Sequence, residues 1–182
     1  VQEQVDWCEA NGRDWEVVPG VGSLAAASAL VGRELTVPGV AQSVIATRLA
    51  GRTAASMPPG ESVAGFARHG TTLAVYLSAA RPEELQEQLL AGGEGYPPTT
   101  PAVLVVRASW PDERAHHTTV GALAATMQAD GARVGALVLV GPALAGAAPR
   151  CRLYDPAYAH ANRRRSHPGS TEGRPTATRP AP

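Results

Sequence analysis

The chain has 182 residues, of which 44% are hydrophobic and only 4% aromatic, so alanine, valine and leucine must fill its core. All 16 basic residues are arginine and they balance 16 carboxylates, a net charge of zero within which an acidic globular body carries a basic tail. The zero hides a split: residues 1–149 hold 9 arginines against 14 carboxylates, while residues 150–182 hold 7 against 2. No apolar run approaches the roughly 18 residues of a membrane span. Val1 opens into a charged amphipathic segment and not into an apolar signal sequence. Cys8 and Cys151 lie far apart at no metal or redox spacing, which predicts two reduced thiols in a cytoplasmic protein.

Residues 1–11 (VQEQVDWCEAN) read as a helix already under way, with Val5 and Cys8 on one face and Gly12 as its stop. A helix cut so close to the first residue leads to the expectation that the chain starts inside a longer protein. Residues 15–18 predict a strand. It ends at the corner Pro19-Gly20-Val21-Gly22, behind which Ser23 is the expected N-cap of an alanine-rich helix over 23–31. Strand, tight turn and helix N-terminus together present free N–H groups above a sheet edge, where open α/β sheets bind ligands.

Residues 33–40 form an extended connection broken by Pro38-Gly39, and residues 42–48 (QSVIATR) predict a second strand. A loop rich in glycine and proline follows over 49–60. A short helix over 61–68 precedes a doubly buried strand, TLAVYL, at 72–77. Pro82-Glu83-Glu84 opens a helix to about residue 90, with proline in the first turn and carboxylates at the positive end of the dipole. Residues 101–107 (PAVLVVR) and 136–140 (ALVLV) are further buried strands, with a helix over 121–129 between them. Val/Leu runs joined by helices predict a mostly parallel or mixed sheet covered on both faces. From about residue 159 Arg, Pro, Ser, Thr and Gly dominate, which reads as a disordered, solvated tail.

Three further loops carry side chains suited to chemistry. Thr47-Arg48 and Gly51-Arg52 follow a strand, and arginine's planar fork matches a carboxylate or phosphate; surface ion pairing explains the same residues. Residues 107–114 (RASWPDER) place small residues at a strand's end, and Trp110 either covers a cavity or packs under a neighbouring loop. His116-His117 has no carboxylate or cysteine at metal-ligand spacing, so no metal site is expected. The run Arg163-Arg164-Arg165 lacks interleaved aromatics and gives no nucleic-acid signature.

Taken in order, VVPGVGSLAAASALVGRELTVPGVAQSVIATR, GRTAASMPPGE, TLAVYLS, PAVLVVRASWPDER and LVLVGPAL resemble the tetrapyrrole (corrin/porphyrin) methyltransferases. The likeness runs from about residue 1 to 145, and ELTVPGVAQSVIATR and RASWPDER are spelled differently in sister enzymes acting on other ring carbons. It implies an α/β fold: the end of an N-terminal α/β domain over 1–36, a complete mixed-sheet C-terminal α/β domain over 37–146 and the basic tail over 147–182. It further implies S-adenosyl-L-methionine as methyl donor, a large acidic tetrapyrrole as substrate, methylation at C11 of a corrin precursor in cobalamin biosynthesis, and a homodimer as the family's common state. Gly22 and Ser23 match the cofactor-contacting pair of the family, Leu77 the adenosine pocket, Ala108 the small residue that contacts adenine, and Thr119 the Gly-Thr-Leu motif, in which Thr118 replaces the glycine. The family's glycine-proline-glycine loop and Ser-Gly-Asp motif do not occur, so methyl transfer by this chain alone is expected to be negligible. Gln42, Arg48 and Arg52 are expected to anchor the substrate's carboxylates. No residue presents itself as a base. A non-catalytic α/β binding domain, a sister methylase and nucleic-acid binding through the tail stand as alternatives.

Overall fold

The computed structural model describes residues 1–51, 54–58 and 60–146. Five strands form one sheet: β1 (Val44–Arg48), β2 (Thr72–Tyr76), β3 (Pro101–Val106), β4 (Arg114–Thr119) and β5 (Ala136–Val140). Their spatial order is β1-β2-β5-β3-β4. Only β1 and β2 are parallel; β5 lies antiparallel between β2 and β3, and β4 is antiparallel to β3. The sheet is therefore mixed, and of the two expected forms the mostly parallel one does not occur. Because β5 is inserted with reversed direction, β1, β2 and β3 all run the same way, and their carboxyl ends share one edge.

Period-two burial divides the strands between two cores. Leu73 and Val75 of β2, Ala102, Leu104 and Val106 of β3, and Val138 and Val140 of β5 face α3 (Val63–Ala67), α4 (Pro82–Leu90) and α5 (Leu123–Asp130). Ala74, Val103, Val105, Leu137 and Leu139 face the other way, against Ala27 of α2 (Ser23–Val31) and Leu144. Each valine or leucine among them, fully withdrawn from water, contributes about 1.5–3 kcal/mol. α2 packs on β3 and β5, so it covers only part of its face.

Local signals explain the helices. α4 starts at Pro82 with Glu83 and Glu84 in its first turn, as expected. Ser62 caps α3, its Oγ accepting from the Gly65 amide at 3.0 Å. α1 (Gln2–Ala10) ends at Asn11 and Gly12, the latter at φ 61°, and Val5 and Cys8 are its half-buried residues. No residue of α1 is fully buried.

Three expectations need correction. Residues 15–18 form no strand: Trp15, Val17 and Val18 are exposed, and among the described residues no strand lies beside them to complete a ladder. Ser23 is not the N-cap of α2. Gly22 holds that place with extended backbone, and its carbonyl accepts from Ala26 N–H at 3.1 Å. The His116-His117 loop is strand β4, an edge strand whose polar composition hides it from an apolar count. The tail beyond residue 146 and Arg52 lie outside the described residues.

Candidate functional site

At the carboxyl edge of β2 and β3 lies a cavity of about 510 Å³. Its floor is the α2 face of the sheet, Tyr76, Val105 and Leu137, with Ser23 and Ala27 of α2 on one side. Leu77, Ala108, Trp110 and Val134 complete its rim. Leu77 (73% exposed), Trp110 (57%) and Val134 (82%) are large apolar residues open to solvent, and all three line this one hollow. Such a cluster at a concave site is the mark of a ligand surface.

The backbone around the rim is held in unusual geometry. Leu77, Arg107 and Ser109 adopt φ of 54°, 52° and 72°, which residues other than glycine seldom take. Each lies just beyond a strand's carboxyl end. There the chain must leave the sheet sharply, and such outliers collect at functional sites. The loop after β3 is tied by Arg107 N–H to the Gly135 carbonyl at 2.7 Å, Trp110 N–H to the Arg107 carbonyl at 2.9 Å, and Ser109 N–H to Glu113 Oε2 at 2.6 Å. The Arg107 guanidinium sits over the Trp110 ring, 4.5 Å from its centroid, and its Nε meets Asp112 at 2.9 Å. Trp110 is thus a cavity-lining residue and not one packed beneath a loop.

A second hollow of about 560 Å³ continues along the same edge over β1 and β2, lined by Thr47, Arg48, Met57, Glu61 and, shared with the first, Tyr76 and Leu77. Ala46 of β1 is exposed on the face that α2 covers at Ala74 of β2. Arg48 donates to Ser56 Oγ at 3.2 Å, which aims its guanidinium across the loop.

The structure brings together Ser23, Leu77 and Ala108 in the first hollow, with Gly22 immediately before Ser23 at the start of α2. As first-turn amides of α2, those of Ser23, Leu24 and Ala25 have no acceptor within the helix. Thr119 is elsewhere. It pairs with Pro101 at the start of β3, the opposite edge of the sheet from Arg107. Gln42 is likewise at the amino end of β1, beside Ser43, His69 and Thr71, and lines a different hollow from Arg48. The reason is the same for both: a five- or six-residue strand carries its two ends roughly 15–20 Å apart.

Outside the two hollows, Asp130 is the most perturbed acid. Its side chain is only 2% exposed and takes Arg114 Nε at 2.5 Å, Arg114 Nη2 at 2.8 Å and His116 Nε2 at 2.8 Å. The Arg114 hydrogen bonds lead the causes that hold its pKa at about 2, against a burial that opposes them. This cluster fastens α5 to edge strand β4 and faces neither hollow. Burial pushes the Tyr96 phenol well above its ordinary value, and its O–H donates to the Thr71 carbonyl. Among the described residues no three His, Cys, Asp or Glu side chains gather to hold a metal ion, and no helix is long and apolar enough to cross a membrane.

A mixed sheet between helices, with a mostly apolar cavity at the carboxyl ends of co-directional strands, defines an α/β protein with a candidate ligand site at that edge. The model of the Tetrapyrrole (Corrin/Porphyrin) Methylases matches residues 1–124, and the chain belongs to that family. It is 42% identical over 161 residues to the precorrin-4 C(11)-methyltransferase of a Sinorhizobium species, covering 87% of this chain and 61% of that protein. It superimposes on the X-ray structure of cobalt precorrin-4 methyltransferase, a cobalamin biosynthetic enzyme, with TM-score 0.72 and 38% identity over 79% of this chain and 58% of that one. It is also similar to uroporphyrin-III C-methyltransferase from Thermus thermophilus in complex with S-adenosylhomocysteine, at TM-score 0.60 and 31% identity over 79% and 60%. The chain therefore spans about three fifths of the length of these relatives.

Proposed function

We propose that this chain takes part in S-adenosylmethionine-dependent C-methylation of a tetrapyrrole, at C11 of precorrin-4, with the methyl donor held in the cavity bounded by Ser23, Leu77 and Ala108. The observation that carries the reading is the convergence of those three residues, distant in sequence, on one hollow. The volume is in the range of small-molecule sites, and the walls are apolar with a few polar groups, as a nucleoside with a short polar arm requires. The C11 assignment draws support from the higher identity and TM-score to the precorrin-4 enzymes than to the uroporphyrin enzyme.

When bound, S-adenosylmethionine supplies an electrophilic methyl group, and the task left to the protein is to hold the ring carbon in line with it. Positioning of this kind can supply on the order of 7–11 kcal/mol of barrier reduction. Arg48 in the adjoining hollow would pair with a substrate carboxylate, and Leu77, common to both hollows, would stand between donor and acceptor. Calorimetric titration with S-adenosylhomocysteine tests the donor site. Saturable binding that is lost in Ala108→Trp, whose indole fills the cavity, is the expected result. Undiminished binding by that variant, or none by the native chain, would overturn the reading.

A further inference from the structure

The loop after β3 holds a feature that the donor-site reading does not use. Trp110 is more than half exposed, yet its backbone and one face of its ring are held. Its amide is bonded to Arg107, its carbonyl accepts from Glu113 N–H at 3.0 Å, and Arg107 covers one face of its ring. Arg107 is in turn pinned by Asp112 and by the Gly135 carbonyl. Two residues of the loop, Arg107 and Ser109, accept positive φ to make this geometry. An exposed indole gains nothing in the core from such an arrangement, and the surface ion pair gains little. The arrangement does fix the best π-surface among the side chains at the rim of a nucleoside-sized hollow.

We infer that Trp110 is the positioning residue for the purine of the methyl donor, an aromatic wall on which the base stacks, with Arg107 as its brace. Arg107 takes one face of the indole, and the ligand's ring would stack on the other. The guanidinium is held to the ring face by cation–π attraction, which fixes the plane of the indole, so what Trp110 offers a ligand is an aromatic surface. The inference rests on the donor-site reading and adds the group that orients its base.

The chain's tryptophans are Trp7, Trp15 and Trp110. Trp7→Phe with Trp15→Phe leaves Trp110 as the sole tryptophan emitter, and both replaced residues are exposed and outside the cavity lining. Adenosine and S-adenosylhomocysteine should each quench its fluorescence, and methionine should not. By calorimetry, Trp110→Ala should bind S-adenosylhomocysteine roughly tenfold to a hundredfold more weakly, the range of a lost base–aromatic stack, while Trp110→Phe stays within a few fold. Native affinity in Trp110→Ala, together with unchanged Trp110 emission on binding, would overturn the inference and leave the donor site standing. Absence of binding by the native chain would remove both.

Discussion

The guanidinium of Arg107 lies 4.5 Å from the centre of the Trp110 ring while its Nε reaches Asp112 at 2.9 Å. Both partners are substantially exposed, so the contact is a device for orientation and not for stability. Exposed ion pairs and cation–π contacts of this type contribute about 0–1 kcal/mol each. Arg107→Ala is therefore expected to change unfolding free energy by less than about 2 kcal/mol. The same variant should loosen Trp110, seen as a fall in its fluorescence anisotropy, and should weaken S-adenosylhomocysteine binding.

Leu77, which with Tyr76 is common to both hollows, has φ 54° and most of its side chain in water. The backbone angle opposes folding, and the exposed side chain contributes nothing to offset it. Asparagine tolerates this backbone region, so Leu77→Asn should raise stability by about 1 kcal/mol in denaturant melts. It should also lower affinity for the donor analogue, because the apolar contact at the shared wall is lost. A variant neither more stable nor weaker in binding would refute this trade between strain and function.

Arg48 and Tyr76 are partners in the β1–β2 register, which sets Arg48 at the carboxyl edge over the second hollow. Arg48→Ala should weaken binding of the tetrapyrrole roughly tenfold to a hundredfold in a titration, the loss of one charge-assisted contact of about 1.5–3 kcal/mol. Its affinity for S-adenosylhomocysteine should stay native. Loss of both together would assign Arg48 to the structure of the loop.

Asp130 predicts an acid limb of stability. Its ordinary pKa is 3.8 and its folded value about 2, so the folded state favours the ionised carboxylate. The stabilisation is present in full above about pH 4 and is lost as the pH falls from there through about 2, because the unfolded chain takes up the proton first. Asp130→Asn should flatten the dependence of unfolding free energy on pH in that window. An unaltered slope would show that another carboxylate carries it.

Much of this architecture was legible in the residues. Pro82-Glu83-Glu84 announced α4 because proline and carboxylates suit a first turn, and the runs TLAVY, PAVLVV and ALVLV announced buried strands because nothing polar interrupts them. The strand expected at 15–18 failed because apolar residues report a wish for burial and not the presence of a neighbour. β4 went unseen because an edge strand can be written in Arg, His and Thr.

The order of side chains along the chain determined the elements, the two-faced burial and the family motifs, since each depends on residues a few positions apart. Only the tertiary structure decided that β5 threads between β2 and β3. That pairing sets Leu77 and Ala108 at one mouth and sends Thr119 and Gln42 to the opposite edge. It also stands Trp110 over the cavity. Strand order is a choice among contacts between residues tens of positions apart, and no local periodicity encodes it.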